Sequence, residues 1–143
     1  MRLVLDTNVI AAAVRSRTGA SRQLLMAALD RRFEMLASVP LILEYEAVLM
    51  RSEHLAASGL NAGEVSELLD AVSAVIKPVA LRFTWRPCTK DPADDMVLET
   101  AVNGQAECIA TFNIRDLADS ASEFNIRVAQ PSEVWRKIER GGK

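Results

Sequence analysis

The sequence predicts an α/β fold, a three-layer α/β/α sandwich with a mainly parallel central sheet, and three observations predict it. Short apolar runs of strand length recur along the chain, beginning with Arg2-Leu3-Val4-Leu5. Between them lie longer stretches whose apolar residues follow helical spacing. The two kinds of segment alternate, which favours right-handed crossovers and a parallel sheet covered on both faces. In such a sheet, binding sites gather beyond the carboxyl ends of the strands.

Taken in order, residues 2–5 read as a buried strand that ends at Asp6, just before Thr7 and Asn8. Ala- and Leu-rich stretches at 9–15 and 20–29 read as two helices, split by the polar break 16–19. A second strand is expected at 33–37. Ser38 and Pro40 then open a helix to about residue 51, by the N-cap preference of serine and the early-helix preference of proline. A break at 59–63 precedes an amphipathic helix at 64–76, with Val65, Leu68, Leu69, Val72 and Ile76 on its apolar side. Residues 75–81 carry a further strand signal. The stretch 82–93, with Pro87 and Pro92, reads as a loop over a site. A helix at 94–103 follows, which Gly104 should end. A strand at 108–110, a loop with a short helix at 111–119, a strand at 126–129 and a helix from Pro131 through Arg140 complete the chain.

At 143 residues the chain suits one domain with a sizeable core, and no second domain is expected. Half of its residues are hydrophobic and a quarter charged, the balance of a globular protein. Arg2 and Asp6 interrupt the N-terminal apolar run, so neither a signal peptide nor a membrane span is expected, and the location expected is the cytoplasm. Cys88 and Cys108 lack the spacing of a zinc site and read as ordinary thiols. A net charge of -2 counts against nucleic-acid binding without excluding it, since acids gathered at a metal site would lower the total. Arg15, Arg17, Arg22, Arg31 and Arg32 offer either a local basic surface or solvated helix faces.

The acids carry the chemistry. Asp6 follows three apolar residues, a costly place for a lone charge, and it reads either as a cap on the next helix or as a cation ligand. Glu44 falls within the stripe formed by Leu41, Tyr45 and Val48, facing inward, whereas Glu46 points outward. An inward carboxylate calls for a metal ion or for an arginine such as Arg51. Asp91, Asp94 and Asp95 crowd one helix start; the helix dipole favours negative charge there, yet three capping roles are too many. Asp116 follows the strand at 108–110, in a loop with Thr111 and Asn113, and alone reads equally well as a loop aspartate. Together these oxygens suit magnesium or manganese. His54, the one histidine, lies in a polar stretch and is assigned no role.

Those stretches resemble, in order, the motifs of the PIN-domain family, and within it the VapC-like toxin components of toxin–antitoxin pairs. Leu3-Val4-Leu5-Asp6-Thr7-Asn8-Val9-Ile10 is similar to the first motif, Glu44-Tyr45-Glu46-Ala47-Val48-Leu49 to the second, Asp91-Pro92-Ala93-Asp94-Asp95 to the third and Thr111-Phe112-Asn113-Ile114-Arg115-Asp116-Leu117 to the fourth. The resemblance spans Arg2 to about Trp135 and implies an RNA-cleaving enzyme. It implies that Asp6, Glu44, Asp95 and Asp116 hold one or two Mg2+ or Mn2+ ions, with Asp94 in reserve. Thr7, Asn8, Thr111 and Asn113 become the groups that orient substrate or water. Asn113 stands where many relatives carry a further aspartate, which leaves the number of ions open. A homodimer and an antitoxin partner are implied by kinship alone. The rival is a catalytically weak fold of the same family that binds RNA or protein. A phosphatase of the haloacid dehalogenase type is disfavoured, because it needs an acid where Asn8 stands.

Overall fold

The computed structural model describes residues 1–82 and 92–141, with the backbone alone at 92 and 93. Five parallel strands form one sheet: β1 (Arg2–Leu5), β2 (Glu34–Ala37), β3 (Lys77–Pro78), β4 (Cys108–Ala110) and β5 (Arg127–Ala129), in the order β3-β2-β1-β4-β5. The helices are α1 (Thr7–Arg15), α2 (Ala20–Leu29), α3 (Val39–Leu49), α4 (Ser52–Ser58), α5 (Ala62–Val75), α6 (Pro92–Gly104), α7 (Ile114–Ser122) and α8 (Pro131–Arg140). β1 is central, so Leu3, Val4 and Leu5 are wholly buried and the strand needs no alternation of polar and apolar residues.

Helices cover both faces of the sheet, as the sequence predicts. α6 lies over β1, β2 and β4 and packs on α7, while α1 and α2 pack on each other, with α5 and α8 against α2. α3 touches both α1 and α6, and its start is pinned to the second of these by hydroxyls. Ser38 Oγ and Thr100 Oγ1 stand 2.7 Å apart, and Thr100 Oγ1 donates to the Met96 carbonyl. Its single proton being spent there, Thr100 accepts from Ser38, whose oxygen in turn receives the Leu41 N–H and caps α3.

The element boundaries depart from the sequence reading in ways that have local causes. α1 starts at Thr7 and not at residue 9, because the chain turns into the helix directly from Asp6. α4 occupies the polar stretch after residue 51; its C-cap is Gly59 in the left-handed conformation, φ 76°, so the glycine that reads as a plain break is a helix stop. α6 starts at Pro92, where a missing N–H costs nothing. β3 keeps only two residues of the expected 75–81. The loop expected at 82–93 lies mostly outside the described residues. No helix among the described residues is long and apolar enough to cross a membrane.

Three helices leave for the next strand by one device. Arg31, Gln105 and Asn125 adopt positive φ after α2, α6 and α7, and the next residue's N–H bonds back to Ala27, Ala101 and Ala121 respectively. The left-handed residue after α6 is therefore Gln105 and not Gly104. Gly104 is needed for close approach: a Cβ there would stand 2.8 Å from Val79 Cγ2 and 2.9 Å from Leu36 Cδ1. We expect Gly104→Val to lower unfolding stability in urea by about 1–3 kcal/mol through overpacking. A variant as stable as wild type would show that this seam is loose.

Candidate functional site

The chain moves from β1 outward through β2 to β3, then returns across the sheet to β4 and β5. The direction of winding thus reverses between β1 and β4, and a crevice opens there at the carboxyl ends. Asp6 ends β1 and Thr111 follows β4, so both stand at that reversal. Their side chains meet: Thr111 Oγ1 donates to Asp6 Oδ2 at 2.6 Å, and both residues are buried. Thr111 Oγ1 also accepts the Asn113 N–H at 2.9 Å, which orients the hydroxyl proton toward the carboxylate.

The structure does not give the Asp6 side chain the capping role. Asp6 is the N-cap residue of α1, with φ -63° and ψ 153°, yet its side chain makes no capping bond to the helix. The backbone is held separately, Asp6 N donating to the Ala110 carbonyl at 2.9 Å. The carboxylate is thus turned across the crevice toward β4.

Tyr45 fixes the same point from above. Leu5 lies beyond the last register pair between β1 and β2, Leu3 with Met35, so its carbonyl needs another donor. The buried Tyr45 hydroxyl supplies it. Burial, and then the nearby Asp6 charge, push the phenol well above its ordinary value. Its neighbour Glu44 is half-buried on α3, while Glu46 is exposed, as the helical stripe predicts. The alternative of an ion pair with Arg51 is not realised: among the described residues the ion pairs are Arg2 and Lys77 with Glu34.

On α6, Asp94 and Asp95 are both buried in the first turn. Asp91 lies outside the described residues. Sequence reasoning missed Glu99, which is 1% exposed and one helical turn beyond Asp95. The signal was there: Glu99 interrupts the run Met96-Val97-Leu98 and Thr100-Ala101-Val102, as Glu44 interrupts its own stripe. Asp6, Asp94, Asp95 and Glu99 all have partners in the structure.

Of the remaining candidates, Thr7 is buried in the first turn of α1, and Asn8 Oδ1 accepts the Phe112 N–H at 3.5 Å, tying that turn to the loop after β4. Asn113 is exposed and Asp116 is exposed in the first turn of α7. The starts of α1, α3 and α7 follow directly on β1, β2 and β4, so their positive dipole ends face the acids. That field favours the ionised carboxylates, and an all-oxygen donor set suits a hard divalent cation in chemical type. In spacing it falls short: among the described residues, no three Asp, Glu, His or Cys side chains stand close enough to hold one ion.

Of the expected basic residues, Arg31 and Arg32 lie at the opposite edge of the sheet, whereas Arg22 bonds the Ala13 carbonyl and lies beside Glu64 and Glu67. Cys108 is a free thiol, and burial raises its pKa; Cys88 lies outside the described residues.

Tyr45 is the only tyrosine, so its ionisation can be read without ambiguity. Because the folded protein holds the phenolic proton more tightly than the unfolded chain, the stability due to this group is complete below about pH 10 and declines as pH rises beyond it. Tyrosinate absorbance should therefore appear only together with unfolding, as followed by circular dichroism. A phenol titrating near its ordinary value in folded protein would contradict its burial.

With this geometry in place, a family model described as PIN domain matches residues 2–115. No curated protein matches the chain.

Proposed function

The chain belongs to the PIN-domain family, and from that membership we propose that it is a Mg2+- or Mn2+-dependent endoribonuclease, a single nuclease domain over residues 1–143 and the toxin of a toxin–antitoxin pair. The observation that carries the reading is the buried Asp6 carboxylate at the β1–β4 reversal, aligned by Thr111.

In this reading Asp6, Glu44, Asp95 and Asp116 hold the cation, with Asp94 in reserve, and the count of one or two ions stays open at Asn113. When bound, the cation supplies Lewis acidity toward a phosphodiester and its attacking water. The protein's own part is to position. Thr111 fixes the carboxylate of Asp6, the Asn113 N–H fixes Thr111, and Tyr45 fixes the strand end from which Asp6 projects. Thr7 and Asn8 line the same turn and orient substrate or water. A homodimer and an antitoxin that presents a basic side chain to the acids are the partners this reading carries, in the cytoplasm.

The spacing of the acids favours one other reading, a catalytically weak module that binds RNA or a protein. Calorimetric titration with Mn2+ separates the two. A nuclease should bind the ion and lose that binding in Asp6→Asn, while a pure binding module has no cation affinity to lose.

Asp6→Asn or Glu44→Gln should reduce Mn2+-supported RNA cleavage by more than about a hundredfold with unfolding temperature intact; undiminished cleavage by either would refute the metal-holding role of that carboxylate. Thr111→Val keeps the side chain's shape and should cost about 10–100-fold in activity or metal affinity, the range for groups that orient ligands. Wild-type turnover in that variant would leave the hydroxyl without a part.

A further inference from the structure

At the edge of the sheet opposite the acids, where the strands begin, lies a second charged region. A groove of about 270 Å³ runs between α8 and the starts of β1, β4 and β5, with Arg127, Arg136, Lys137 and Arg140 in its lining. A larger groove, about 750 Å³, lies at the starts of β1, β2 and β3, lined in part by Arg2, Arg31, Arg32 and Lys77. The two share Met1 and Glu107 and so are contiguous. Eight cations face three carboxylates, Glu34, Glu107 and Glu133, in a chain whose net charge is -2.

Ordinary structural roles account for part of this charge. Lys137 and Arg140 lie in the last turn of α8 and complement its dipole, and Arg32 stands over the Trp135 ring, 5.4 Å from its centroid. Glu34 lies 3.7 Å from both Arg2 and Lys77, exposed contacts worth little in water. None of these roles explains Arg127, which opens β5 on the same edge as Arg2 and Lys77 open β1 and β3.

We propose that this edge binds the phosphate backbone of single-stranded RNA, at a site separate from the acidic crevice. Lys77, Arg2 and Arg127 open the two outer strands and the central one, spread over about 19 Å with Glu34 and Glu107 between them, a spread that suits a linear polyanion and not one small anion. Six of the eight are arginines, whose forked donors match phosphate oxygens. The smaller groove has Leu3, Ala129 and Val134 in its lining, yet of the exposed large apolar residues among those described only Met1 lines either groove. A protein partner needs a desolvated apolar centre, whereas a polyanion bound through counterion release does not. The edge lies about 13 Å from Asp6 along β1, so a strand held there is kept clear of the acids while its continuation reaches around to them. The choice of RNA among polyanions rests on the nuclease reading; the binding edge itself does not.

The test is fluorescence anisotropy of a labelled single-stranded RNA with the whole chain, in EDTA and over a range of salt. Wild type should bind with a steep salt slope. The double variant Arg136→Gln, Arg140→Gln changes two exposed side chains and should lower that slope by about 1.4, at roughly 0.7 per lost contact, and weaken binding about tenfold or more at low salt. Arg51→Gln, at an exposed arginine that lines neither groove, should bind as wild type does. An unchanged slope in the double variant, no RNA binding by wild type in EDTA, or equal competition by polyglutamate of matched charge would each overturn the proposal. Cleavage lost throughout, with salt-sensitive binding retained, would sink the nuclease reading and leave the edge standing.

Discussion

A carboxylate removed from water must be compensated, and the architecture around Asp6 is arranged about that requirement. Asp6 ends the central strand, where three wholly buried residues draw the chain into the core and carry the acid with them. Compensation comes from across the sheet, through the Thr111 hydroxyl, itself oriented by a backbone N–H. Tyr45 completes the arrangement by bonding the carbonyl just before Asp6, so the strand cannot slide or twist without breaking a buried hydrogen bond.

Winding direction then extends this local demand to the whole molecule. In a parallel sheet with crossover helices, strands begin at one edge and helices begin at the other. Helix starts carry partial positive charge and helix ends partial negative charge. The acids Asp94 and Asp95 lie at a helix start, and Lys137 and Arg140 at a helix end. The protein is in this way polarised along its strands, although its net charge is close to zero.

Much of this is legible in the sequence, because some signals are local. The run Leu3-Val4-Leu5 followed by Asp6 announces both the buried strand and the acid at its mouth, and helical spacing alone separates the half-buried Glu44 from the exposed Glu46. Other features depend on pairs that the sequence does not connect. Thr111 lies 105 positions from Asp6, and Ser38 lies 62 from Thr100; only the fold brings either pair together. Glu99 escapes a reading by helical period because α6 is buried nearly all round, so the helix offers no outer face against which an inward acid stands out. At Gly104 the residue type is a visible signal but its cause is not, since the crowding comes from Leu36 and Val79, residues on distant segments.

The Thr111 amide donates to Ala129 on β5 at 3.0 Å, and β5 lies beyond residue 115, where the match to the family pattern stops. A fragment trimmed to the matched stretch would strip the sheet of its last strand and leave that amide to solvent, loosening the backbone that carries the hydroxyl. The smallest piece able to keep the crevice in shape is therefore longer than the pattern by which its kinship is recognised.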